Sequence, residues 1–247
     1  MTRDGNFFPL RKRYVRKEII LLNWKNSVFR VIEKVIYQKK SICWAIAMIR
    51  QLSAMYKIRG DLDITSALSI QELLLYVPKV YLSSELALDD LMHAEYSLKE
   101  FGTVEEKLSP LTYILDSMKL FDQDVFRFKI ESMRVCRPSE FRSCNEFEQA
   151  VVEALAKSPV ACVVKTYASY NRIRGKQVYR RKPRETKYTL HVMVLVNHGI
   201  NGKGQRFFEF QDSYGKKWGR KGFVRVAKGV GLVGGFIVFE LPPRARI

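Results

Sequence analysis

The chain has 247 residues, of which 47% are hydrophobic and 28% charged, and its formal net charge is +18 at pH 7. This length and apolar content predict a globular protein of one or two domains and exclude an intrinsically disordered chain. The longest apolar run, residues 230–239, is shorter than the roughly 18 residues of a membrane span. Residues 1–6 lack the apolar stretch of a signal peptide. We therefore expect an intracellular protein, cytoplasmic or nuclear, that does not contact a membrane.

The first half of the chain is predicted to be helical, after a basic flexible arm formed by residues 1–17. Apolar residues with helical spacing predict helices over about Ser41–Tyr56, Ser69–Leu75 and Glu85–Phe101. The first of these begins near Cys43 and ends before Gly60, a residue type that commonly terminates helices. In the second, Ser69 and Glu72 have the spacing of a capping box.

The second half is predicted to contain one helix, Asn145–Lys157, and a series of strands. Short β-branched and aromatic runs predict strands over Val125–Val135, Val160–Tyr167, Tyr188–Val196, Arg206–Gln211, Phe223–Val226 and Phe236–Leu241. Residues 201–204 have the composition of a hairpin turn. Helices followed by antiparallel strands are typical of the α+β class. We expect a helical lobe over residues 18–125 and a β-rich lobe over residues 126–247.

Cys43 is a candidate catalytic residue because it lies at the predicted start of a helix. The unpaired N–H groups and the helix dipole lower the pKa of a thiol at this position and favour the nucleophilic thiolate. The alternative is an inert core cysteine, which is the commoner role of an isolated cysteine. On the short segment around Cys43 alone, the inert core cysteine is the favoured interpretation.

Three sequence blocks, taken together, point to one protein family. The first combines Gln38 and Cys43-Trp44-Ala45 with a Leu-Ser-Ile-Gln-Glu-Leu-Leu segment at residues 68–74. The second is the histidine-containing run at residues 191–199, and the third is residues 212–223, Asp-Ser-Tyr-Gly-Lys-Lys-Trp-Gly-Arg-Lys-Gly-Phe. His191 follows Cys43 by 148 residues, within the roughly 130–150 residues expected of a papain-type pair. In this order and spacing, the blocks resemble the papain-like cysteine peptidases over roughly residues 24–240.

The resemblance implies a papain-like fold in which the helical lobe carries Cys43 and the β-rich lobe carries His191 across a cleft. It implies a cysteine-type peptidase that acts on peptide or protein substrates through a thioester intermediate. Cys43 would be the nucleophile, His191 the acid and base, and Asp212 the residue that orients His191, while Gln38 would donate to the oxyanion. Supporting aromatic residues would be Trp44, Tyr214 and Trp218. The resemblance implies no cofactor and no metal.

The chain departs from the family's pattern within this site. Asp212 stands where the family has asparagine, and Tyr214 stands where it has tryptophan. Gln38 lies five residues before Cys43 instead of six, and residues 80–90, the region of the family's glycine-rich loop, contain no glycine. A carboxylate can still accept a hydrogen bond from an imidazole, but loss of one oxyanion donor typically costs about 10²–10³ in kcat. The alternative is therefore a catalytically weak or inactive relative that acts as a peptide- or polyanion-binding module.

The cysteine pattern favours a reducing compartment. The chain has four cysteines, at positions 43, 136, 144 and 162, which is few for a secreted disulfide scaffold. Lys40 and Tyr76 stand where the secreted members of the family carry half-cystines. No histidine or further cysteine lies near Cys136 and Cys144 to complete a zinc site. We expect all four thiols to be free.

Basic residues are concentrated in two clusters. One lies at residues 11–17, and the denser one, Arg172–Lys187, contains Arg172, Arg174, Lys176, Arg180, Arg181, Lys182, Arg184 and Lys187. Three interpretations of the second cluster stay open: a solvated surface, a nuclear-import signal around residues 179–184, or a patch that contacts nucleic acid or another polyanion without sequence specificity.

Overall fold

The structure is a computed structural model that describes residues 17–115 and 125–244. All but the last residue of the predicted basic arm lies outside the described residues. Within the described ranges the chain forms an eight-stranded sheet whose main path runs β2-β8-β3-β5-β6-β7-β4, with β1 paired to β5. The strands are β1 (Ile19–Asn23), β2 (Ser132–Cys136), β3 (Val160–Tyr167), β4 (Val178–Tyr179), β5 (Tyr188–Ile200), β6 (Arg206–Gln211), β7 (Phe223–Ala227) and β8 (Val233–Glu240).

Strand β5 is the centre of this sheet. It pairs antiparallel with β1, β3 and β6. A turn at residues 201–204 connects β5 to β6. Its side chains alternate between the two faces, as strand geometry requires. Val192, Val194 and Val196 join one hydrophobic core, whereas Met193 and Leu195 join the other. Because both faces are covered, the strand is apolar along most of its length.

One helix packs on each face of the sheet. The helices are α1 (Cys43–Arg59), α2 (Ile70–Tyr76), α3 (Ala94–Tyr96) and α4 (Cys144–Lys157). Helix α1 lies against β3 and β5, and α4 packs in the core on the opposite face. Gly60, in the left-handed conformation with φ of 84°, ends α1 as predicted. The prediction of an α+β fold is confirmed.

Helix α1 is held in place by a buried glutamine. Gln51 donates from Nε2 to the Ile237 carbonyl at 3.0 Å and accepts at Oε1 from the Ala161 N–H at 2.8 Å. These two bonds connect the helix to β8 and β3 at once. Since the helix begins at Cys43, they fix the position of the thiol relative to the sheet.

Three local predictions were wrong. Of the predicted strand Val125–Val135, only the part from Ser132 belongs to β2, because Phe128 exchanges backbone hydrogen bonds with Thr103 instead. Residues 85–90 are not helical, because Leu86 adopts a positive φ of 61° and Leu88 forms a β-bridge with Leu82. Helical turns begin only at Leu91. Asp90 caps them by accepting a hydrogen bond from the Met92 N–H at 2.9 Å.

The predicted capping box at α2 is only half present. Ser69 caps the helix by accepting from the Glu72 N–H at 3.1 Å. Glu72 does not return the bond to Ser69, because its carboxylate pairs with Arg127 at 2.6 Å instead. The Ser69 N–H donates to the Val104 carbonyl.

Candidate active site

The thiol of Cys43 opens onto a cleft between the two halves of the fold. Cys43 is the first residue of α1, so its neighbouring N–H groups have no partner within the helix. The cleft has a volume of about 580 Å³. Residues from the start of α1 line one wall, and residues of β3, β5 and β8 line the other.

Cys43 and His191 face each other across this cleft, and each shifts the pKa of the other. Burial alone would raise the pKa of Cys43, but the nearby imidazole and charge of His191 and two backbone N–H groups, of Val192 and Trp44, lower it. The net effect is a pKa below the usual value for a thiol. These are the conditions that favour a thiolate–imidazolium pair.

Asp212 contacts the opposite side of the His191 ring. Its Oδ1 lies 2.9 Å from His191 Nε2, which leaves Nδ1 as the ring nitrogen available to Cys43. The carboxylate is buried and immediately follows β6. Burial disfavours the charged imidazole, but the hydrogen bonds and charges of Asp212 and Cys43 outweigh it and raise the pKa of His191 to about 10. The site therefore favours a protonated His191 at neutral pH.

Two aromatic side chains shield this hydrogen bond. The ring of Tyr214 stacks on His191, with centroids 4.7 Å apart and planes 21° apart. Trp218 packs edge-on against Tyr214 at 5.3 Å. Burial, with the nearby charge of Asp212, raises the pKa of Tyr214 to about 12, so its hydroxyl stays neutral. The tyrosine thus covers the imidazole in spite of its smaller ring.

Gln38 lines the cleft beside Cys43 although the loop between them is one residue short. Its backbone N–H donates to the Ser213 carbonyl at 2.8 Å, and its Oε1 accepts from the Ser213 hydroxyl. These bonds hold the amide oxygen and leave Nε2 to act as a donor. Together with the Cys43 N–H, Nε2 is suited to stabilise a developing oxyanion.

Trp44 fixes the loop that replaces the family's glycine-rich segment. Its indole Nε1 donates to the Leu86 carbonyl at 2.9 Å. Leu86 takes the left-handed conformation that glycine usually adopts. The neighbouring residues Ala87–Leu91 form the rim of the cleft without a glycine.

The structure brings the predicted residues Cys43, His191, Asp212 and Gln38 together at one cleft. The other histidines lie elsewhere: His93 pairs with Asp89 at 2.7 Å, and His198 lies further along β5. Sequence reasoning missed two members, Ser213 and Tyr170, whose contacts with Gln38 and Asp212 join residues far apart in the chain. Ser213 lies within the third sequence block, next to Asp212, whereas Tyr170 has no local pattern that marks it as part of a site.

A cysteine at a helix start that faces a histidine, with a buried carboxylate on the other side of the imidazole, is the arrangement typical of the papain-like class. The sequence matches the papain family cysteine proteases over residues 22–235. The chain belongs to this family. Within residues 17–115 and 125–244, no helix combines the length and apolar character needed to cross a membrane. Nor does any group of three or more His, Cys, Asp or Glu in those ranges form a metal-binding set.

Two known proteins of similar sequence each match about a third of this chain. Cathepsin Q of Rattus norvegicus is 32% identical over 87 residues, and Testin-2 of the same species is 27% identical over 85 residues. These matches cover 34% and 33% of this chain, and 25% and 26% of the respective relatives. The chain therefore matches about a quarter of the length of these relatives.

Solved structures show the same fold over nearly the whole chain. The proform of the ragweed pollen cysteine protease Amb a 11 superimposes with a TM-score of 0.70 at 19% identity, covering 90% of this chain and 65% of that one. Bromelain from Ananas comosus, in complex with the inhibitor E64, gives 0.66 at 18% identity, covering 92% and 100%. Procathepsin B S9 of Trypanosoma congolense gives 0.71 at 11% identity, covering 94% and 80%. The predicted papain-like fold is confirmed.

Proposed function

We propose that this protein is a cysteine peptidase with Cys43 as its nucleophile. The observation that carries the proposal is the Cys43–His191–Asp212 series, in which His191 contacts Asp212 at 2.9 Å and faces Cys43 across a cleft that also contains Gln38. Family membership supports a peptide substrate, and the lowered pKa of Cys43 supports thiolate chemistry. The shortened loop before Cys43 does not remove Gln38 from the cleft.

The geometry supports a two-stage hydrolysis. The Cys43 thiolate attacks the peptide carbonyl carbon, and the oxyanion that forms accepts hydrogen bonds from Gln38 Nε2 and the Cys43 N–H. His191 donates its proton to the leaving amine as the C–N bond breaks, which leaves a thioester. Neutral His191 then takes a proton from water, whose oxygen attacks the thioester. Collapse releases the carboxylic acid and regenerates the thiolate–imidazolium pair.

Labelling with a peptidyl epoxide tests this proposal. We expect the reagent to alkylate Cys43 and to leave Cys144 unmodified, as measured by mass spectrometry of digested protein. Cys144 is a matched comparison because it is also the first residue of a helix and is exposed, but no histidine contacts it in the described structure. Modification of both thiols at one rate, or of neither, would count against a peptidase site.

A second function, binding of polyanions without sequence specificity, is favoured by an open groove of about 1240 Å³. The groove is lined by part of the Arg172–Lys187 cluster and by the turn after β5. Its cations are Arg172, Lys176, Arg180, Lys182, Lys203 and Arg225. Glu18 pairs with Lys176 and Arg225, whereas the other four form no ion pair within the described residues. Unpaired cations on a concave surface attract chains of phosphate or sulfate groups.

The salt dependence of DNA binding tests this groove. We expect the affinity for a short DNA duplex to fall steeply with salt, because released counterions dominate such binding. The slope of log K against log salt is negative, and replacing Arg172 and Lys182 by glutamine should make it shallower by about two. The matched control replaces Arg184 and Lys187, which carry the same charge but do not line the groove. Equal slopes for both double variants would identify the cluster as a solvated surface.

A further inference from the structure

Asp212 is a carboxylate in a place that almost excludes water. It is 2% exposed, and a buried ionised carboxylate is costly unless its oxygens accept hydrogen bonds. Oδ1 accepts from His191 Nε2 at 2.9 Å and from the Ser213 N–H at 2.6 Å. The remaining oxygen, Oδ2, accepts from the Tyr170 hydroxyl.

Tyr170 is rigidly held at this position. It lies in the helical turn Ala168–Arg172 after β3 and is 1% exposed. Its ring packs edge-on against Tyr179 at 5.0 Å and lies 5.7 Å from the ring of Trp218. Burial, together with the charge of Asp212, raises the pKa of Tyr170 well above its usual value. The hydroxyl therefore stays protonated and acts as the donor, while Asp212 is the acceptor.

We propose that Tyr170 is a positioning residue of the active site, which donates to Asp212 Oδ2 and thereby holds the carboxylate aligned with His191. The inference rests on the proposed function, in that Cys43 and His191 are its reactive centre. An asparagine at position 212 would present an amide N–H in place of the charged oxygen, so it would need an acceptor there and no donor. Tyr170 is thus the residue that the aspartate requires, and the two together replace the family's asparagine.

The titratable groups in contact with this unit are few. Cys43, Tyr170 and Tyr214 face His191 and Asp212, and within the described residues His191 is the sole ion-pair partner of Asp212. Removing the Tyr170 hydroxyl should therefore act directly on the carboxylate. A misaligned Asp212 favours the imidazolium form of His191 less, and His191 then lowers the pKa of Cys43 less.

The test measures the rate constant of Cys43 alkylation by iodoacetamide from pH 4 to 9, with Cys144 in the same sample as reference. It needs no peptide substrate, so its failure is distinguishable from failure of the peptidase proposal. The proteins compared are wild type, Tyr170→Phe, Asp212→Asn and the double variant. Tyr179→Phe is the matched control, because it also removes a buried hydroxyl, one that accepts from the Tyr167 N–H at 2.7 Å and does not contact Asp212.

We expect Tyr170→Phe to lower the Cys43 rate constant at pH 6 by about tenfold, as is typical for loss of one hydrogen bond to a buried charge. The acidic limb of its pH–rate profile, where the rate constant falls as the pH is lowered, should move to higher pH. The double variant should differ from Asp212→Asn alone by less than about twofold in the Cys43 rate constant, and the acidic limbs of the two pH–rate profiles should coincide. Tyr179→Phe should leave the pH profile of wild type unmoved.

An unchanged rate and limb in Tyr170→Phe would overturn the inference. So would an equal loss when Tyr170→Phe is introduced into wild type and into Asp212→Asn, because that pattern belongs to a purely structural tyrosine. If Tyr170→Phe does not fold, the double variant decides. A folded double variant supports the inference, since it has no buried carboxylate to satisfy, and an unfolded one overturns it.

Discussion

Replacing Cys43 by alanine is expected to abolish peptide hydrolysis, with a fall in kcat on the order of 10⁴ or more, because no other group can form the thioester. The His191 and Asp212 side chains remain but have no nucleophile to activate. The measurement is hydrolysis of a broad library of fluorogenic peptides by matched preparations of both proteins. Melting temperatures should agree closely, because the substitution removes one sulfur atom at the edge of the cleft.

The control for this experiment is Cys144→Ala. Cys144 begins α4 as Cys43 begins α1, but it is exposed, and no histidine contact is found for it in the described structure. We expect Cys144→Ala to hydrolyse peptides at the rate of wild type. If wild type and Cys43→Ala hydrolyse every peptide equally slowly, the peptidase proposal fails, and a binding module that retains the family's fold takes its place.

Replacing Asp212 by alanine is expected to lower kcat/KM on the order of 10²–10⁴-fold, because His191 loses the acceptor that fixes its tautomer and orientation. Asp212→Asn should retain most of the activity, since the amide oxygen can still accept from His191 Nε2. Comparison of the two variants separates the orientation of His191 from the negative charge of Asp212, because Asp212→Asn removes the charge but keeps the oxygen that accepts from His191. Equal losses in Asp212→Ala and Asp212→Asn would show that the negative charge is what the site needs.

The pH profile of Asp212→Asn carries a further expectation. Asp212 is one of the groups that raise the pKa of His191 to about 10, so its neutralisation should lower that pKa. His191 gives its proton to the leaving amine only below its pKa, and activity is therefore lost as pH rises through it. The alkaline limb of kcat/KM in Asp212→Asn should lie at lower pH than in wild type. An unmoved alkaline limb would mean that another group controls it.

Several parts of the fold could be read from the sequence because local residues decide them. Strand β3 (Val160–Tyr167) and strand β6 (Arg206–Gln211) have the predicted bounds, and α4 begins one residue before its predicted start. β-branched runs, a serine cap and a terminating glycine act within a few residues of chain. The three catalytic candidates were identified by motif and order.

Other parts were decided by contacts between distant segments. Strand β1 pairs with the far end of β5, and nothing in its sequence, Ile-Ile-Leu-Leu-Asn, indicated that partner. Residues 85–90 have a helical pattern but form an irregular loop, because Trp44 binds the Leu86 carbonyl and Leu88 bridges to Leu82. Glu72 forms an ion pair with Arg127 and does not complete the predicted capping box. In each case a tertiary partner outweighed a local preference.

The sequence by itself determined which residue types meet in the site: a thiol, an imidazole, a carboxylate and an amide. Only the tertiary structure decided how the last two are held. Ser213 orients Gln38 across 175 positions of chain, and Tyr170 donates to Asp212 across 42. A buried polar group must find a donor or acceptor wherever the folded chain provides one. Those partners depend on which side chains the sheet and α1 bring together. The periodicity of the sequence does not predict these contacts.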